Sequence, residues 1–342
     1  MKISFKNDYS EGCHPRILEA LAASNSSQQD GYGADDYSAK AQQLIRDKAK
    51  APYSAIHFVS GGTQANLVTV SAFLRPHESI ISARTGHIFD NETGAIEATG
   101  HKVHSIDGVD GKLTPQLVQK VLDEHPIQPH QLKQKMVYIS QSTELGTIYS
   151  KDELQKLWDF CQNNSLYLYM DGARLGHALT SSISDLSLED IARYTDAFYI
   201  GGTKNGALLG EAIVITTSHL QEDFEYYLKQ KGAMLSKGRV LGIQFQELFT
   251  NDLYFEIARY ANTQAVKIET ALKATGCKWW AKTCTNQIFP ILENRKIEKL
   301  QEKFDFYIWR QIDADHSAIR LITSWATRQE DVDSLISEIS QL

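Results

Sequence analysis

The chain has 342 residues, of which 42% are hydrophobic and 23% are charged. These fractions exclude disordered and fibrous classes, and the length predicts one large domain with a smaller one appended. The formal charge of -7 comes from interspersed acidic and basic residues, so no basic stripe is available for a nucleic-acid backbone. No apolar run approaches the length of a membrane span, and the first residues, MKISFKNDYS, lack an apolar signal core. We therefore expect a cytoplasmic protein that partners neither nucleic acid nor a membrane.

The four cysteines, Cys13, Cys161, Cys277 and Cys284, are spread along the chain without a CxxC pair. Few cysteines at irregular spacing are typical of free thiols rather than of disulfides or metal ligands. We therefore expect free thiols and no metal site.

Between about residues 54 and 215, short apolar runs alternate with amphipathic stretches. This alternation is typical of an α/β domain in which helices cover both faces of a mostly parallel sheet. One helix is predicted to begin after Ser150, which precedes the acidic pair Asp152 and Glu153 as an N-terminal cap. Seven strands are predicted, with the sequences AIHFV, SIISA, HKVHSI, KMVYIS, LYLYM, AFYIG and EAIVIT.

Beyond Ser218 the pattern becomes mainly helical, and it predicts helices over 220–229 and 239–274. The strand-like runs QIFPIL, FDFYIW and AIRLITSW follow, and a last helix is predicted over 329–341. We therefore divide the chain into a large domain, residues 1–240 with an N-terminal arm, and a small α+β C-terminal domain, residues 241–342.

The first candidate site is the run FVSGGTQAN, residues 58–66, in which a strand ends at small residues before an apolar helix. Gly61, Gly62 and Thr63 stand where that helix begins, and free N–H groups and the helix dipole favour an anion there. A tight strand-to-helix connection without a ligand would have the same composition. The run predicts a phosphate site only in combination with other motifs.

The second candidate site is LYLYMDGAR, residues 166–174, an apolar strand that ends at Asp171. Open α/β sheets bind their ligands at the carboxyl ends of the strands. A carboxylate at that position can form a charge-assisted bond to a protonated heteroaromatic nitrogen. The alternative is that Asp171 only caps the helix that follows.

The third candidate site is AFYIGGTKNG, residues 197–206, in which Lys204 follows another apolar strand. A lysine at such a place can have a lowered pKa and act as a nucleophilic amine, and its small neighbours leave room for a planar group. The alternative is a surface lysine in a glycine-rich turn. The surface-lysine alternative is less favoured because all three motifs follow strands of one predicted sheet.

The fourth candidate site is SARTGHIFDNE, residues 82–92, which places His87 after a further strand. Its imidazole could stack on an aromatic group and exchange a proton with a substrate, or it could be an ordinary loop histidine.

A phosphate cradle, a ring-nitrogen carboxylate, an aldehyde-trapping amine and a stacking imidazole together describe one cofactor, pyridoxal phosphate. We therefore expect that cofactor, held between Lys204 and Asp171.

The segments SGGTQANL, GHIFDNETGA, YMDGAR and GGTKNG resemble the signature segments of the low-specificity L-threonine aldolase family, which belongs to the fold-type I pyridoxal phosphate enzymes. The resemblance extends from NDYSEGCHP and DGYGADDY to AIRLITSW. It implies a carbon–carbon lyase that cleaves L-threonine, L-allo-threonine and related L-3-hydroxy amino acids to glycine and an aldehyde. It also implies that Lys204 binds the cofactor aldehyde, Asp171 the ring nitrogen and the SGGT segment the phosphate, while His87 stacks on the ring.

The same resemblance implies that Arg320 and Arg174 bind the substrate carboxylate with help from Ser10, and that Arg174 belongs to the cofactor site as well. A guanidinium fork binds both oxygens of a carboxylate in one plane. Arg320, taken singly, could equally be a surface ion-pair residue.

Two histidines are candidate catalytic bases. His87 is one, and His130, just before KMVYIS, resembles a family histidine that faces the substrate hydroxyl. His125 lies close by in sequence, so the assignment between His125 and His130 stays open.

The chain also departs from the commoner family pattern. Many members carry ENTHN where this chain has SQSTELGT, and GGGMRQ where it has KGAMLSKGR. These differences resemble a branch that includes phenylserine-active aldolases. They leave open which residue replaces an arginine that contacts the phosphate across the subunit interface, and Lys237 and Arg239 are candidates.

The DGYGADDY segment resembles a stretch that reaches a neighbouring site through Tyr32, so we expect a homodimer or homotetramer with interfacial active sites.

Two rival functions remain open. The same groups serve β-elimination, racemisation and transamination in fold-type I enzymes, so the fold alone does not choose among them. A non-catalytic binding module would also retain the fold, but it has no need of Lys204, Asp171 and His87 together.

Overall fold

A computed structural model describes residues 2–341. Its strands, in chain order, are β1 (Ile3–Ser4), β2 (Ala55–Val59), β3 (Glu78–Ala83), β4 (Val103–Ile106), β5 (Lys133–Ser140), β6 (Tyr167–Asp171), β7 (Ala197–Gly201), β8 (Glu211–Ile215), β9 (Lys278–Trp279), β10 (Gln287–Ile288), β11 (Pro290–Glu293), β12 (Phe304–Asp305), β13 (Tyr307–Gln311) and β14 (His316–Ile322). Its α-helices are α1 (Pro15–Ser24), α2 (Asp36–Ala49), α3 (Gly62–Phe73), α4 (His87–Asp90), α5 (Pro115–Asp123), α6 (Lys151–Asn163), α7 (Leu175–Leu179), α8 (Leu188–Arg193), α9 (Phe224–Gln230), α10 (Arg239–Phe249), α11 (Leu253–Ala274), α12 (Asn294–Gln301) and α13 (Gln329–Ile339).

Seven strands form the central sheet in the order β2-β8-β7-β6-β5-β3-β4. The pairs from β4 through β3, β5 and β6 to β7 are parallel, whereas β8 runs antiparallel to both β7 and β2. The predicted mostly parallel, seven-stranded sheet is therefore confirmed. The reversal of β8 has a simple cause: only residues 202–210 join it to β7, and a parallel crossover needs a dozen or more residues.

The direction of β8 decides which side chains meet at the ligand-binding edge of the sheet. In the pairing of β5 with β6, Ser140 lies opposite Asp171, so both strands end at the same edge. Because β8 is antiparallel, its first residue, Glu211, lies opposite Gly201, the last residue of β7. Lys204 lies in the turn between those two strands, so this edge gathers an amine, two carboxylates and a hydroxyl.

Apolar side chains bury both faces of the central sheet. Val137 and Leu168 belong to the core on one face, and their neighbours Met136 and Tyr169 belong to the core on the other. Strands buried on both faces read as continuous apolar runs, which is why the central strands β6, β7 and β8 could be located from the sequence.

A third core lies in the C-terminal part, where β14 pairs with β10, β11 and β13. Phe5, from the N-terminal arm, is fully buried in this core. Helix α11 contributes to two cores, because Leu253 near its start packs in the core of the central sheet and Ile268 near its end packs in the C-terminal core. The domain boundary near residue 240 stays a prediction, since this helix connects the two parts.

The single helix predicted over 239–274 is wrong, because the structure has two helices there, α10 and α11. Asn251 and Asp252 between them have φ values of 55° and 59°. That left-handed conformation ends a right-handed helix, and asparagine and aspartate tolerate it better than most residues.

The four cysteines are free thiols. Within residues 2–341, no helix combines the length and the apolar character that a membrane crossing needs. The same residues contain no group of three or more His, Cys, Asp or Glu side chains placed to hold a metal ion.

Candidate active site

A cavity of about 340 Å³ opens at the carboxyl-end edge of the central sheet. This volume lies in the range of small-molecule sites, about 300–1,000 Å³. Its wall includes seven residues that the sequence singled out, namely Gly61, Gly62, Thr63, His87, Asp171, Arg174 and Lys204. It also includes nine that were not singled out, namely Tyr9, Ser60, Ser140, Ser142, Glu144, Ala173, Tyr199, Thr203 and Glu211.

Asp171 is a buried carboxylate at the end of β6 with both oxygens hydrogen-bonded. The hydroxyl groups of Tyr138 and Tyr199 donate to Oδ2 and Oδ1, each at 2.5 Å, and the amide of Ala173 donates to Oδ1 at 3.0 Å. Burial alone would raise the pKa of Asp171, but the charge of His87 and these three hydrogen bonds outweigh it and lower the pKa. Asp171 is therefore held in its ionised form, facing the cavity.

Lys204 lines the same cavity as Asp171, so the amine and the carboxylate share one site. Burial and the nearby Arg174 charge lower the pKa of Lys204, although Asp171 and Glu211 oppose that shift. Glu211 accepts a hydrogen bond from the amide of Gly202 at 2.8 Å, and burial raises its pKa. A lysine with a lowered pKa has a larger neutral fraction, which is the form that attacks an aldehyde.

The predicted phosphate cradle is the N-terminus of α3, a helix of 12 residues that begins at Gly62. Its N-cap, Gly61, provides no side-chain hydrogen bond, so the first turn keeps its N–H groups for a ligand. The absence of a side chain at Gly62 matters, because a Cβ atom there would lie 2.9 Å from the Tyr199 hydroxyl that bonds Asp171.

His87 is fixed by a buried polar network. Its Nδ1 lies 2.8 Å from Oε1 of Glu92, and Nδ2 of Asn66 donates to the same oxygen at 2.7 Å. Asn66 also reaches Asp171 at 3.4 Å and accepts from the Tyr169 hydroxyl at 3.1 Å. Burial would lower the pKa of His87, but the bond to Glu92 and the charge of Asp171 raise it. The network therefore fixes the His87 imidazole relative to the Asp171 carboxylate.

Arg174 forms a buried, two-pronged ion pair with Asp8 of the N-terminal arm. Its Nε and Nη2 atoms donate to Oδ2 and Oδ1 of Asp8 at 2.7 and 3.0 Å. Asn286 donates a third hydrogen bond to Oδ2 at 2.9 Å. The fork that was expected to bind a substrate carboxylate is thus already occupied within the chain.

Arg320 differs from Arg174 because no carboxylate among the described residues pairs with it. Its Nε atom is buried and has no hydrogen-bond partner among residues 2–341. Its guanidinium carbon lies 4.8 Å from the ring centroid of Trp309 and 5.1 Å from that of Tyr307. Burial and the charge of Arg174 lower the pKa of Arg320, although the charge of Asp8 opposes that shift. A partly buried guanidinium whose Nε has no hydrogen-bond partner is suited to bind a carboxylate ligand.

Three predicted residues do not line the cavity, namely Ser10, His130 and Arg320. Ser10 is exposed and its hydroxyl donates to Oδ1 of Asn7 at 2.9 Å, whereas the preceding residue, Tyr9, lines the wall. His130 is exposed on the loop before β5, and β5 enters the sheet at the edge opposite the cavity. The single chain therefore does not bring His130 to this site, and His125 is hydrogen-bonded to Val121 on the same distant side.

Pyridoxal phosphate fits this cavity at three separate points. An ionised carboxylate can bond the pyridine nitrogen, an amine with a lowered pKa can bind the aldehyde, and an uncapped helix N-terminus can bind the phosphate. Together with the mostly parallel sheet and the appended C-terminal part, these points define a pyridoxal phosphate enzyme of fold type I.

Comparisons with known proteins agree with this class. The model of the Beta-eliminating lyase family matches residues 8–295. A low-specificity L-threonine aldolase of Pseudomonas aeruginosa is 31% identical, over 98% of this chain and 96% of the relative. A solved threonine aldolase structure of Leishmania major is 43% identical with a TM-score of 0.98, and the match covers 99% of both chains. An aspartate aminotransferase of Thermus thermophilus, 14% identical over 99% of this chain and 91% of its own with a TM-score of 0.72, shares the fold.

The chain therefore belongs to the Beta-eliminating lyase family, in the branch of the low-specificity L-threonine aldolases. The family resemblance read from SGGTQANL, GHIFDNETGA, YMDGAR and GGTKNG is confirmed, and so is the cofactor, pyridoxal phosphate.

Proposed function

We propose that this chain is a pyridoxal phosphate-dependent carbon–carbon lyase that cleaves L-threonine, L-allo-threonine and related L-3-hydroxy amino acids to glycine and an aldehyde. The observation that carries the proposal is that Lys204 and Asp171 line one cavity. The Pseudomonas aeruginosa and Leishmania major relatives, both threonine aldolases by name, support the choice of reaction within the fold class.

The residues of the cavity have separate roles in this reaction. When bound, pyridoxal phosphate supplies an aldehyde that takes the substrate amine and a protonated ring that draws electrons from the breaking Cα–Cβ bond. Lys204 would hold that aldehyde, and its lowered pKa makes a neutral amine available. Asp171, held ionised by Tyr138 and Tyr199, would keep the proton on the ring nitrogen. His87, fixed by Glu92, would stack on the ring.

The substrate carboxylate binds mainly to Arg320. The guanidinium of Arg320 has no anionic partner in the described chain, whereas the fork of Arg174 is occupied by Asp8. Arg174 then contributes its charge and one remaining edge of the guanidinium, and Asp8 holds it in place. This division of roles follows from the different pairing of the two arginines.

Product analysis tests the reaction. Purified protein loaded with pyridoxal phosphate should release glycine and acetaldehyde from L-threonine and from L-allo-threonine. Lys204→Ala should abolish that release, while Lys102→Ala, which changes an exposed lysine outside the cavity, should leave it unchanged. Pyruvate, another oxo acid or a racemised amino acid in place of glycine would establish one of the rival fold-type I reactions instead.

Two expectations about the whole protein extend the proposal, namely a cytoplasmic location and assembly into a homodimer or homotetramer with interfacial active sites. Among the lining residues, the cations are Lys204 and Arg174 and the potentially charged imidazole His87, so the phosphate end lacks a cationic side chain of its own. Tyr32, expected to reach a neighbouring site, is exposed, and its amide donates to Ser236 O at 3.3 Å. The two stretches expected to serve a neighbouring subunit therefore lie side by side.

Lys237 is the better candidate for the cross-subunit phosphate contact. The guanidinium of Arg239 donates to the carbonyl oxygen atoms of Ser27 and Asn25, at 2.5 and 3.4 Å, so it is engaged within its own chain. Lys237 is exposed beside Ser236. Lys237→Ala should weaken cofactor affinity, and mixing it with Lys204→Ala should restore activity in hybrid oligomers. Failure of the mixture to regain activity would show that each site is built from one chain.

A further inference from the structure

The loop that follows β5 places polar side chains in the cavity, and the proposed reaction assigns them no role. Ser140, Ser142 and Glu144 all line the wall. Because Ser140 pairs with Asp171 in the sheet, the loop starts beside the ring-nitrogen carboxylate. The loop belongs to SQSTELGT, the stretch in which this chain departs from the ENTHN pattern.

Glu144 is anchored through one of its two carboxyl oxygens. Its Oε1 accepts a hydrogen bond from the Ser140 hydroxyl at 2.7 Å and another from the amide of His87 at 3.0 Å. Within residues 2–341, no hydrogen bond goes to Oε2. The side chain is therefore fixed in direction while one oxygen stays available to a ligand.

Ser142 is a second, independent sign of a ligand in the same wall. Its side chain is buried, and its hydroxyl oxygen has no hydrogen-bond partner in the described part of the chain. Buried polar atoms in native proteins are almost always hydrogen-bonded, so an exception in a residue of a cavity wall indicates a polar ligand. A hydroxyl group on the substrate would give both Ser142 and Glu144 a partner.

The surroundings of Glu144 suit a group that exchanges a proton. Burial raises the pKa of Glu144; the Ser140 hydrogen bond opposes this shift and the charge of Asp171 adds to it. Glu144 is also close enough to His87 and to Arg174 for their charges to interact. Glu144 thus lies in the cavity wall within the range of charge interaction with both the His87 imidazole and the Arg174 guanidinium. A carboxyl group with a pKa nearer neutrality is a more effective general base than an ordinary glutamate.

We propose that Glu144 contacts the β-hydroxyl group of the substrate and takes up its proton during cleavage. This inference rests on the proposed function. The O–H bond breaks with its proton passing to Oε2, and the electron pair of that bond completes the C=O bond of the aldehyde. The Cα–Cβ bond breaks, its electron pair stays with the glycine fragment, and a proton then adds to the α-carbon. Water supplies the proton that adds to the α-carbon and receives the proton that Glu144 gives back, so no further reactant is consumed.

The test compares a reaction that needs the hydroxyl with one that does not. Glu144→Gln keeps the Oε1 acceptor for Ser140 and His87 and replaces only the free oxygen. Glu298→Gln, an exposed glutamate outside the cavity, is the matched control. The first readout is kcat and KM for L-threonine cleavage. The second is exchange of the α-hydrogen of glycine in deuterated water, followed by NMR, because glycine has no β-hydroxyl.

In Glu144→Gln, kcat for L-threonine should fall by about 10²–10⁴-fold, the usual worth of a positioned acid–base group, with a smaller change in KM. Glycine exchange and the visible spectrum of the bound cofactor should match those of the wild type and of the control. Retained threonine cleavage would overturn the proposal, because another group would then take the proton. Loss of both reactions would overturn it as well, since Glu144 would then act by positioning His87. A wild-type protein that exchanges glycine but cleaves no threonine would refute the proposed function itself.

Discussion

Replacing Asp8 by asparagine should destabilise the protein through the buried ion pair with Arg174. The side chains of Arg174 and Asp8 are only 12% and 0% exposed, and two hydrogen bonds of 2.7 and 3.0 Å join them. Asp8→Asn keeps the size of the side chain but leaves the guanidinium charge without its counter-ion. Removal of one partner from a buried pair typically costs about 3–5 kcal/mol.

This cost can be converted into a shift in melting temperature. The entropy of unfolding is about 2.1 cal/mol/K per residue, which gives about 0.7 kcal/mol/K for a chain of 342 residues. Asp8→Asn should therefore lower Tm by about 4–7 °C in calorimetry. Cofactor concentration must be equal in all samples, because a ligand that binds the folded state raises Tm.

The matched control is Asp305→Asn, which breaks an exposed pair. Lys6 and Asp305 lie 3.4 Å apart, with side chains 36% and 44% exposed. Exposed pairs contribute at most about 1 kcal/mol, so this change should lower Tm by less than about 2 °C. Equal shifts in Tm in the two variants would refute the claim that Asp8→Asn leaves a buried charge on Arg174 without its counter-ion.

The pH dependence gives a second check on the same pair. Burial would raise the pKa of Asp8, but the charges of Arg174 and Lys204 outweigh it and lower the pKa from 3.8 to about 2. Since the folded pKa lies below the unfolded one, the contribution of Asp8 is fully present above about pH 4 and is lost as the pH falls through about 2. The Tm difference between wild type and Asp8→Asn should persist from neutral pH to about pH 4 and shrink below it. A difference that grows on acidification would contradict this account.

Three further substitutions test individual roles in the cavity. Asp171→Asn should retain the cofactor but lower kcat for L-threonine by about 10²-fold or more, because a preorganised charge at the ring nitrogen is lost; unchanged kcat would argue against that contact. Tyr199→Phe removes one of the hydrogen bonds to Asp171 and should lower kcat by less than Asp171→Asn does, in the same assay. Arg320→Lys keeps a positive charge but loses the planar fork, so KM for L-threonine should rise by about 10-fold or more while cofactor affinity by fluorescence titration stays constant. A KM unaffected by Arg320→Lys would show that the substrate carboxylate binds to Arg174 instead.

The strands and their ligand-binding ends could be predicted because that information is local. The central strands β6, β7 and β8 are largely apolar runs buried on both faces, and Asp171 ends such a run. Lys204 follows another such run and lines the same cavity as Asp171. The antiparallel direction of β8 was not predicted, although the short connection 202–210 contains the signal for it.

The contacts that position the site could not be predicted, because they join residues far apart in sequence. Asp8 meets Arg174 across 166 residues, and Asn66 meets Asp171 across 105. Glu211 reaches the cavity only because β8 is reversed, so a parallel arrangement would have placed it at the other edge. Pattern and resemblance alone assigned Ser10, His130 and Arg320 to the site, but none of the three lines the cavity of the single chain.

Chemical trapping of the cofactor tests the central claim, a covalent site at Lys204 facing Asp171, most directly. Protein loaded with pyridoxal phosphate would be reduced with borohydride, digested and mapped by mass spectrometry. The account predicts that the pyridoxyl group is attached to Lys204 and that Lys204→Ala carries no label. Attachment at another lysine in the wild type, with Lys204 unmodified, would contradict it.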